Sequence, residues 1–255
     1  MKNIINRRNL KISLLFTAAG IVASAFAAMY QLDMFSDEIK NQIILQLGST
    51  EALIAIAAVQ GGIITLISSF AGLMLAEKVN LRLNFRFDKN SLMVAMAIGL
   101  LTAAVIVFSD RLIFVRYLPS EITNYEFSLL YLVTGILYGG IIEEILLRLF
   151  VMSFFVFVLW KLCSRGSDRK NIPGWIYISS ILISAALFAA GHIPFTAQII
   201  GLSLPVLART FLLNGIGGIG FGYLYWKRGL AYSMYAHAFT HVFINLISVL
   251  FTLGR

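Results

Sequence analysis

Residues 126–160 read EFSLLYLVTGILYGGIIEEILLRLFVMSFFVFVLW, a nearly unbroken run of aliphatic and aromatic side chains with Glu143, Glu144 and Arg148 set inside it. Such a run is longer than the roughly 20 residues that carry an upright helix across a bilayer. The rest of the chain cannot wrap it as a soluble core, because the whole composition is apolar. Hydrophobic residues make up 59% and charged residues 13%, and the mean hydropathy is +0.87. Soluble domains average about 25% charged and 45–50% apolar residues. Further apolar segments lie at 12–32, 50–76, 91–109, 175–193, 203–226 and 229–251. The sequence predicts an all-α, polytopic transmembrane bundle of seven or eight spans, a single membrane domain. Within it, 1–120 supplies N-terminal helices and 121–255 the part that carries the chemistry.

The charges between the spans alternate. Lys2, Arg7, Arg8 and Lys11, then Lys78, Arg82, Arg86 and Lys89, then Lys161, Arg165, Arg169 and Lys170, and finally Lys227 and Arg228 fall on one side. Lys40, Arg111, Arg116, Arg209 and Arg255 fall on the other. The excess of Lys and Arg in cytoplasmic loops orients membrane proteins, so the N-terminus is expected in the cytoplasm. Ala23, Ala25 and Ala27 resemble a signal-peptidase site, but the first apolar stretch has span length and reads as a retained helix. The net charge of +8 belongs to these loops and to anionic lipid. No basic stripe interleaves with exposed aromatics, so nucleic acid is not an expected partner. Cys163 is the sole cysteine, which excludes an intrachain disulfide and gives no zinc or redox pattern. Gly215, Gly217, Gly218, Gly220 and Gly222 follow no strand and lack phosphate-loop spacing; they read as a surface for close helix packing.

Ionisable groups inside a span are expensive and mark functional sites by default. Glu144 and Arg148 stand four apart, the favourable order for a helical ion pair. Glu143 is rotated by about 100° from its neighbour on an α-helix and has no base one turn along. An unpaired, desolvated carboxylate suits a general base, so Glu143 is the expected base, supported by Glu144. A Glu–Arg staple between helices explains Glu144 and Arg148 but not Glu143. All three histidines, His192, His237 and His241, sit in or at the end of apolar segments. His237, His241 and Asn245 recur every fourth residue on one helix face, where they could activate water or donate to an oxyanion.

These residues fall into three motifs. Glu143, Glu144 and Arg148 form Glu-Glu-x-x-x-Arg, and Phe188 with His192 forms Phe-x-x-x-His. Gly229-Leu230 leads to His237, with His241 four residues on. In this order the motifs resemble those of the CAAX-protease and bacteriocin-processing (CPBP, or Abi) family of intramembrane proteases. The resemblance covers 143–241, with the Asn214–Arg228 stretch also family-like; the first 120 residues share only their hydrophobicity. It implies an all-α, metal-free hydrolase in which Glu143 and His192 activate water against a peptide carbonyl. His237, with His241 in the place of the family's Asn or Asp, would hold the tetrahedral oxygen. A shifted register would pair His241 with Asn245 instead; the distance from Gly229-Leu230 favours His237. The implied partners are a peptide or membrane-protein substrate and the lipid bilayer. The compact form points to a prokaryotic plasma membrane. Prenylated tails are one substrate class of the family, and nothing in the residues selects them.

Two other readings compete. His192, His237, His241 and Glu143 are a credible zinc set, although Ala238 stands where a zincin helix carries its glutamate. A non-enzymatic immunity, scaffold or transport protein could also hold intramembrane Glu, Arg and His, although no inverted repeat is visible. Depth raises a further question. Counted from the loop charges, Glu143 lies mid-span, His237 in the cytoplasmic half and His192 nearer the outer end. They meet only if the long helix is tilted or broken, or the His192 segment is displaced.

Overall fold

The fold is taken from a computed structural model that describes residues 7–119, 127–164 and 171–253. Seven helices in it are long and apolar enough to cross a membrane, and no strand occurs among the described residues. Helix α1 (Arg7–Met34), α3 (Thr50–Lys78) and α4 (Lys89–Leu112) precede the long α5 (Leu129–Cys163). Then follow α6 (Gly174–Gly191), a short α7 (Ile193–Ile199), α8 (Leu204–Arg228) and α9 (Leu230–Leu253). The expected spans match these helices one for one. A short helix that the hydropathy pattern does not announce, α2 (Asp37–Leu47), connects α1 to α3. It starts on the Ser36 cap, ends on Gly48 at φ 86 and buries none of its residues.

The packing is that of a protein solvated by lipid. Lipid tails are as apolar as leucine, so close packing and interhelical hydrogen bonds hold such helices together. Small residues accordingly face inward. Helix α1 buries Ser13, Gly20, Ala23, Ser24 and Ala27, and α3 buries Gly62, Thr65, Ser68, Ser69 and Gly72. The large side chains Leu14, Leu15, Ile56, Val59, Ile63 and Ile67 point outward. A Cβ on Gly72 would come within 2.8 Å of the Leu149 carbonyl oxygen, so α3 lies against the backbone of α5. The glycines of α8 do as expected, with one exception. A Cβ on Gly218 would meet Ala185 at 2.8 Å, on Gly220 Ile98 at 2.9 Å and on Gly222 Ile181 at 3.0 Å, whereas Gly215 faces open space.

Helix α5 departs from the α geometry assumed for it. Leu129–Thr134 and Ser153–Cys163 are α-helical, but Gly135–Glu143 and Ile145–Met152 are π-helical, with i→i+5 bonding. Such winding is rare and gathers at functional sites. It answers the depth problem in part, because more residues are taken up per unit length than in an α-helix. The other part lies in the His192 segment, where α6 stops at Gly191 and α7 restarts at Ile193. His192 is the joint.

The basic loops converge at one end. Lys78 and Lys161 both approach the Phe157 ring, at 5.3 and 6.0 Å, and the Asn84 amide donates to the Arg228 carbonyl. Asn9 at the start of α1 donates to Glu77 at the end of α3. At the opposite end Arg209 grips Asp110 with two 2.6 Å hydrogen bonds. Lys2, Arg165, Arg169, Lys170 and Arg255, also counted in the charge pattern, lie outside the described residues. One buried cluster joins Ala23, Leu73 and Val79 to Ile145, Leu149, Tyr177, Tyr225 and Met234. The helices before and after residue 120 therefore share a core.

Candidate active site

The site is built on three elements: the π-wound part of α5, the α6–α7 joint and the first half of α9. Each is fixed by features its sequence dictates. At the start of α9 the Leu230 and Ala231 N–H groups donate to the carbonyls of Arg82 and Leu83, both at 2.9 Å. The loop can come this close because Gly229 adopts φ 106, and a Cβ there would sit 3.1 Å from the Arg82 oxygen. The first N–H groups of a helix have no intrahelical partner, so the α3–α4 loop supplies one. Tyr232 adds a hydrogen bond to the Arg86 carbonyl.

Glycines of α5 then let α9 approach. A Cβ on Gly139 would lie 2.7 Å from His241 Nε2 and 3.2 Å from His237 Nε2, one on Gly140 would lie 3.0 Å from Ala238, and one on Gly135 would overlap the His241 ring. Both histidine rings thus face a bare stretch of π-helical backbone. Glycine is required at 139 because any side chain would displace the imidazoles.

Glu144 and Arg148 are fully buried, and their ion pair forms as expected, with Nη1 3.1 Å from Oε1. The contact is one of charge more than of alignment. None of the three Arg148 nitrogens has an aligned hydrogen-bond acceptor among the described residues. The guanidinium is instead flanked by two aromatic rings, with Cζ 4.8 Å from the Phe188 centroid and 5.4 Å from that of Phe221. Such stacking is worth about 2 kcal/mol or more where water is excluded.

Glu144 also accepts from His237 Nδ1 at 2.9 Å and from the Ser233 hydroxyl. Glu143 reaches the other edge of the same imidazole, its Oε2 lying 3.8 Å from His237 Nε2. The carboxylate without a basic neighbour on its own helix thus finds one on α9. It keeps 20% of its side chain exposed while Glu144 keeps none. The His237 ring is clamped between Phe221, stacked at 4.5 Å and 21°, and His241, stacked at 5.3 Å and 18°, with Phe188 edge-on at 5.8 Å.

His192 joins this assembly through Phe188, whose ring meets it edge-on at 4.8 Å. Its Nδ1 lies 2.9 Å from the Phe188 carbonyl. A carbonyl only accepts, so Nδ1 carries a proton and Nε2 is the nitrogen turned away from this bond. His241 packs edge-on against Tyr131 at 5.8 Å, and its Nδ1 has no partner among the described residues. The Asn245 amide donates to the His241 carbonyl at 2.8 Å. Phe188, expected only as a motif residue, holds Arg148, His192 and His237 in register.

The ligand set weighed for zinc does not converge. Among the described residues no three His, Cys, Asp or Glu side chains are gathered as a metal ion needs. The His237 and His241 rings stack in near-parallel planes, and Nδ1 of His237 is held by Glu144.

Sequence reading missed Ser233, Phe221, Tyr131 and the paired Gly135 and Gly139. Ser233 was within reach: counting back four from His237 continues the His237, His241, Asn245 period. Tyr131, Gly135 and Gly139 stand at four-residue steps before Glu143 on α5 itself; Phe221 comes from α8, and no spacing in one chain segment discloses it.

No curated protein and no solved structure matches the chain. Residues 125–243 match the family model described as Type II CAAX prenyl endopeptidase Rce1-like. The matched stretch holds the acidic pair, Arg148, Phe188 and all three histidines, and stops short of Asn245. Over that stretch the chain is similar to the Rce1-like family of proteases.

Proposed function

We propose that the protein is an intramembrane endopeptidase that hydrolyses a peptide bond with water activated at Glu143. The observation that carries this reading is the pair of adjacent carboxylates on opposite edges of one imidazole, Glu144 at Nδ1 and Glu143 at 3.8 Å from Nε2. Glu144 is consumed by Arg148, Ser233 and His237. Glu143 is partly exposed and meets His237 only at 3.8 Å. In the proposed reaction the oxygen of water bonds to the substrate carbonyl carbon while one of its protons passes to Glu143. His192, with Nδ1 tied to Phe188, offers Nε2 to the same water. The tetrahedral oxygen is stabilised from the histidine pair of α9, with His241 in the amide's position. Glu143 returns the proton to the amide nitrogen as the C–N bond breaks, giving a carboxylic acid and an amine that exchange a proton to leave carboxylate and ammonium.

The chemistry is proposed to need no metal and to act on peptides or membrane proteins delivered through the lipid. The N-terminus is proposed to face the cytoplasm, since the basic loops gather at that end of the bundle. The test compares wild type and Glu143→Gln at matched levels on a quenched peptide library, with and without chelator. Cleavage by the wild type alone, unaffected by chelator, is the expected result. Equal cleavage by the mutant, or chelator sensitivity reversed by zinc, overturns the mechanism.

A further inference from the structure

The α3–α4 loop has two faces, and the site uses only one. Residues 79–88 leave one span at Lys78 and enter the next at Lys89. Inward, the loop buries Leu81 and gives the carbonyls of Arg82, Leu83 and Arg86 to Leu230, Ala231 and Tyr232 of α9. Asn84 closes this staple by donating to the Arg228 carbonyl at 2.6 Å. Outward, Arg82, Phe85, Arg86, Phe87 and Lys89 are all exposed, Phe85 at 59% and Phe87 at 82%. Exposed rings thus do alternate with basic groups over this one loop, a pattern the sequence reading passed over.

The charges on the outward face are unbalanced. Among the described residues none of Arg82, Arg86 and Lys89 makes an ion pair. The loop's one acid, Asp88, is taken up as the cap of α4, accepting from the Ser91 N–H at 2.9 Å and from the Ser91 hydroxyl. Bare rings set among cations at the end of a membrane bundle suit one surface in both respects. Anionic headgroups attract Lys and Arg beside a span, and apolar rings between such charges sink to the boundary of headgroup and acyl chain. The loop cannot reach far from that boundary, because both its ends are span ends and its hydrogen bonds hold it against α9.

We propose that the α3–α4 loop is a docking surface for anionic phospholipid of the leaflet at the basic end, and that lipid held there keeps the loop carbonyls under α9. Arg82, Arg86 and Lys89 take the phosphate groups, while Phe85 and Phe87 anchor the loop in the membrane. A ligand that binds the stapled loop and not a loosened one stabilises the staple by linkage. The consequence for rate rests on the peptidase reading above: with the histidine helix held, cleavage is faster in an anionic membrane than in a neutral one.

Hydrogen–deuterium exchange tests the staple without recourse to activity. The full chain is placed in nanodiscs of phosphatidylcholine alone, and of phosphatidylcholine and phosphatidylglycerol in equal parts. Exchange at the Leu230 and Ala231 amides is expected to slow about 5–30-fold in the anionic discs, the factor that one or two basic side chains supply at such a surface. The α7 amides, at the opposite end, keep their rate. Arg82→Gln/Arg86→Gln and Phe85→Ser/Phe87→Ser change only exposed side chains, and each shrinks the difference between the discs. Equal rates in the two discs, slowing throughout the protein, or an undiminished difference in both variants overturns the proposal. So does slowing reproduced in the neutral discs by inorganic phosphate or by a single-stranded oligonucleotide, which would assign the face to a free anion or to nucleic acid.

In the same discs kcat on the quenched peptides is expected to rise about fivefold with the anionic lipid, with KM close to unchanged. Slowed exchange with an unchanged kcat would overturn the link from lipid to rate. A wild type inactive in both discs would defeat the peptidase reading, and the exchange result would still decide the docking surface.

Discussion

Glu144 Oε1 receives His237 Nδ1 at 2.9 Å from one side while Arg148 Nη1 stands 3.1 Å away on the other. One buried carboxylate oxygen therefore links the acidic pair of α5 to the histidine helix α9. Removing one partner of a buried charge pair leaves the other uncompensated, at about 3–5 kcal/mol. Arg148→Leu should lower the melting temperature of the detergent-solubilised protein by that cost and abolish cleavage with it. Glu143→Gln, changing a group that is not fully buried, should leave the melting temperature within error of wild type.

Activity should separate the same residues in the opposite way. If Glu143 is the base, Glu143→Gln lowers kcat about 10²–10⁴-fold, the range for general base catalysis, with peptide binding retained. Single-turnover cleavage and binding of a non-cleavable peptide, measured side by side, check both halves. Lost binding would assign Glu143 to substrate recognition instead.

The glycine face of α5 gives a paired prediction. Gly139→Ala pushes a methyl group to 2.7 Å from His241 Nε2, and overpacking of this kind costs about 1–3 kcal/mol. It should reduce activity and lower the melting temperature together. Gly215→Ala, on the same protein but facing open space, should change neither.

His241 stands where the motif resemblance leads one to expect Asn or Asp. If its part is to donate a hydrogen bond, His241→Asn should stay within about tenfold of wild type, and His241→Phe, which keeps the stack without a donor, should lose about 10²–10³-fold, the cost of one oxyanion donor. Equal activity in both variants would assign the residue to packing.

Just before the start of α9, Gly229→Ala forces an L side chain to φ 106 and towards the Arg82 carbonyl. Backbone strain of this kind costs about 1–3 kcal/mol. The change is remote from His237, yet it should reduce kcat because it unseats the helix that carries the imidazole. Unchanged kinetics in a stable Gly229→Ala protein would show that the α3–α4 loop contributes nothing to the site.

The spans could be read from the sequence because hydropathy and helix length are properties of one segment at a time. The pair Glu144–Arg148 was legible for the same reason: both partners lie on one helix, four residues apart. The winding of α5 was not. Nothing in a run of Leu, Ile and Gly distinguishes i→i+5 from i→i+4 bonding; the choice is settled by what packs against the run, here Leu149 under Gly72 and His241 under Gly135 and Gly139. The partner of Glu143 was hidden in the same way, since His237 lies on a distant helix. Phe221 and Tyr131, which frame the two imidazoles, are ordinary span aromatics until the fold brings them there.

The hydrogen bonds from Leu230 and Ala231 to Arg82 and Leu83 also determine which wall of the site is free to yield. Sliding or turning α9 would break both, and would drive Gly229 into the loop it rests on. The histidine helix is therefore a fixed post, clamped at its basic end. On the opposite wall the chain changes direction at His192, between two helices, with one side-chain hydrogen bond to Phe188 holding the ring. Among the described residues no backbone hydrogen bond ties that turn to a neighbouring loop as α9 is tied, so strain reaching the site falls on the turn before it reaches the histidine helix.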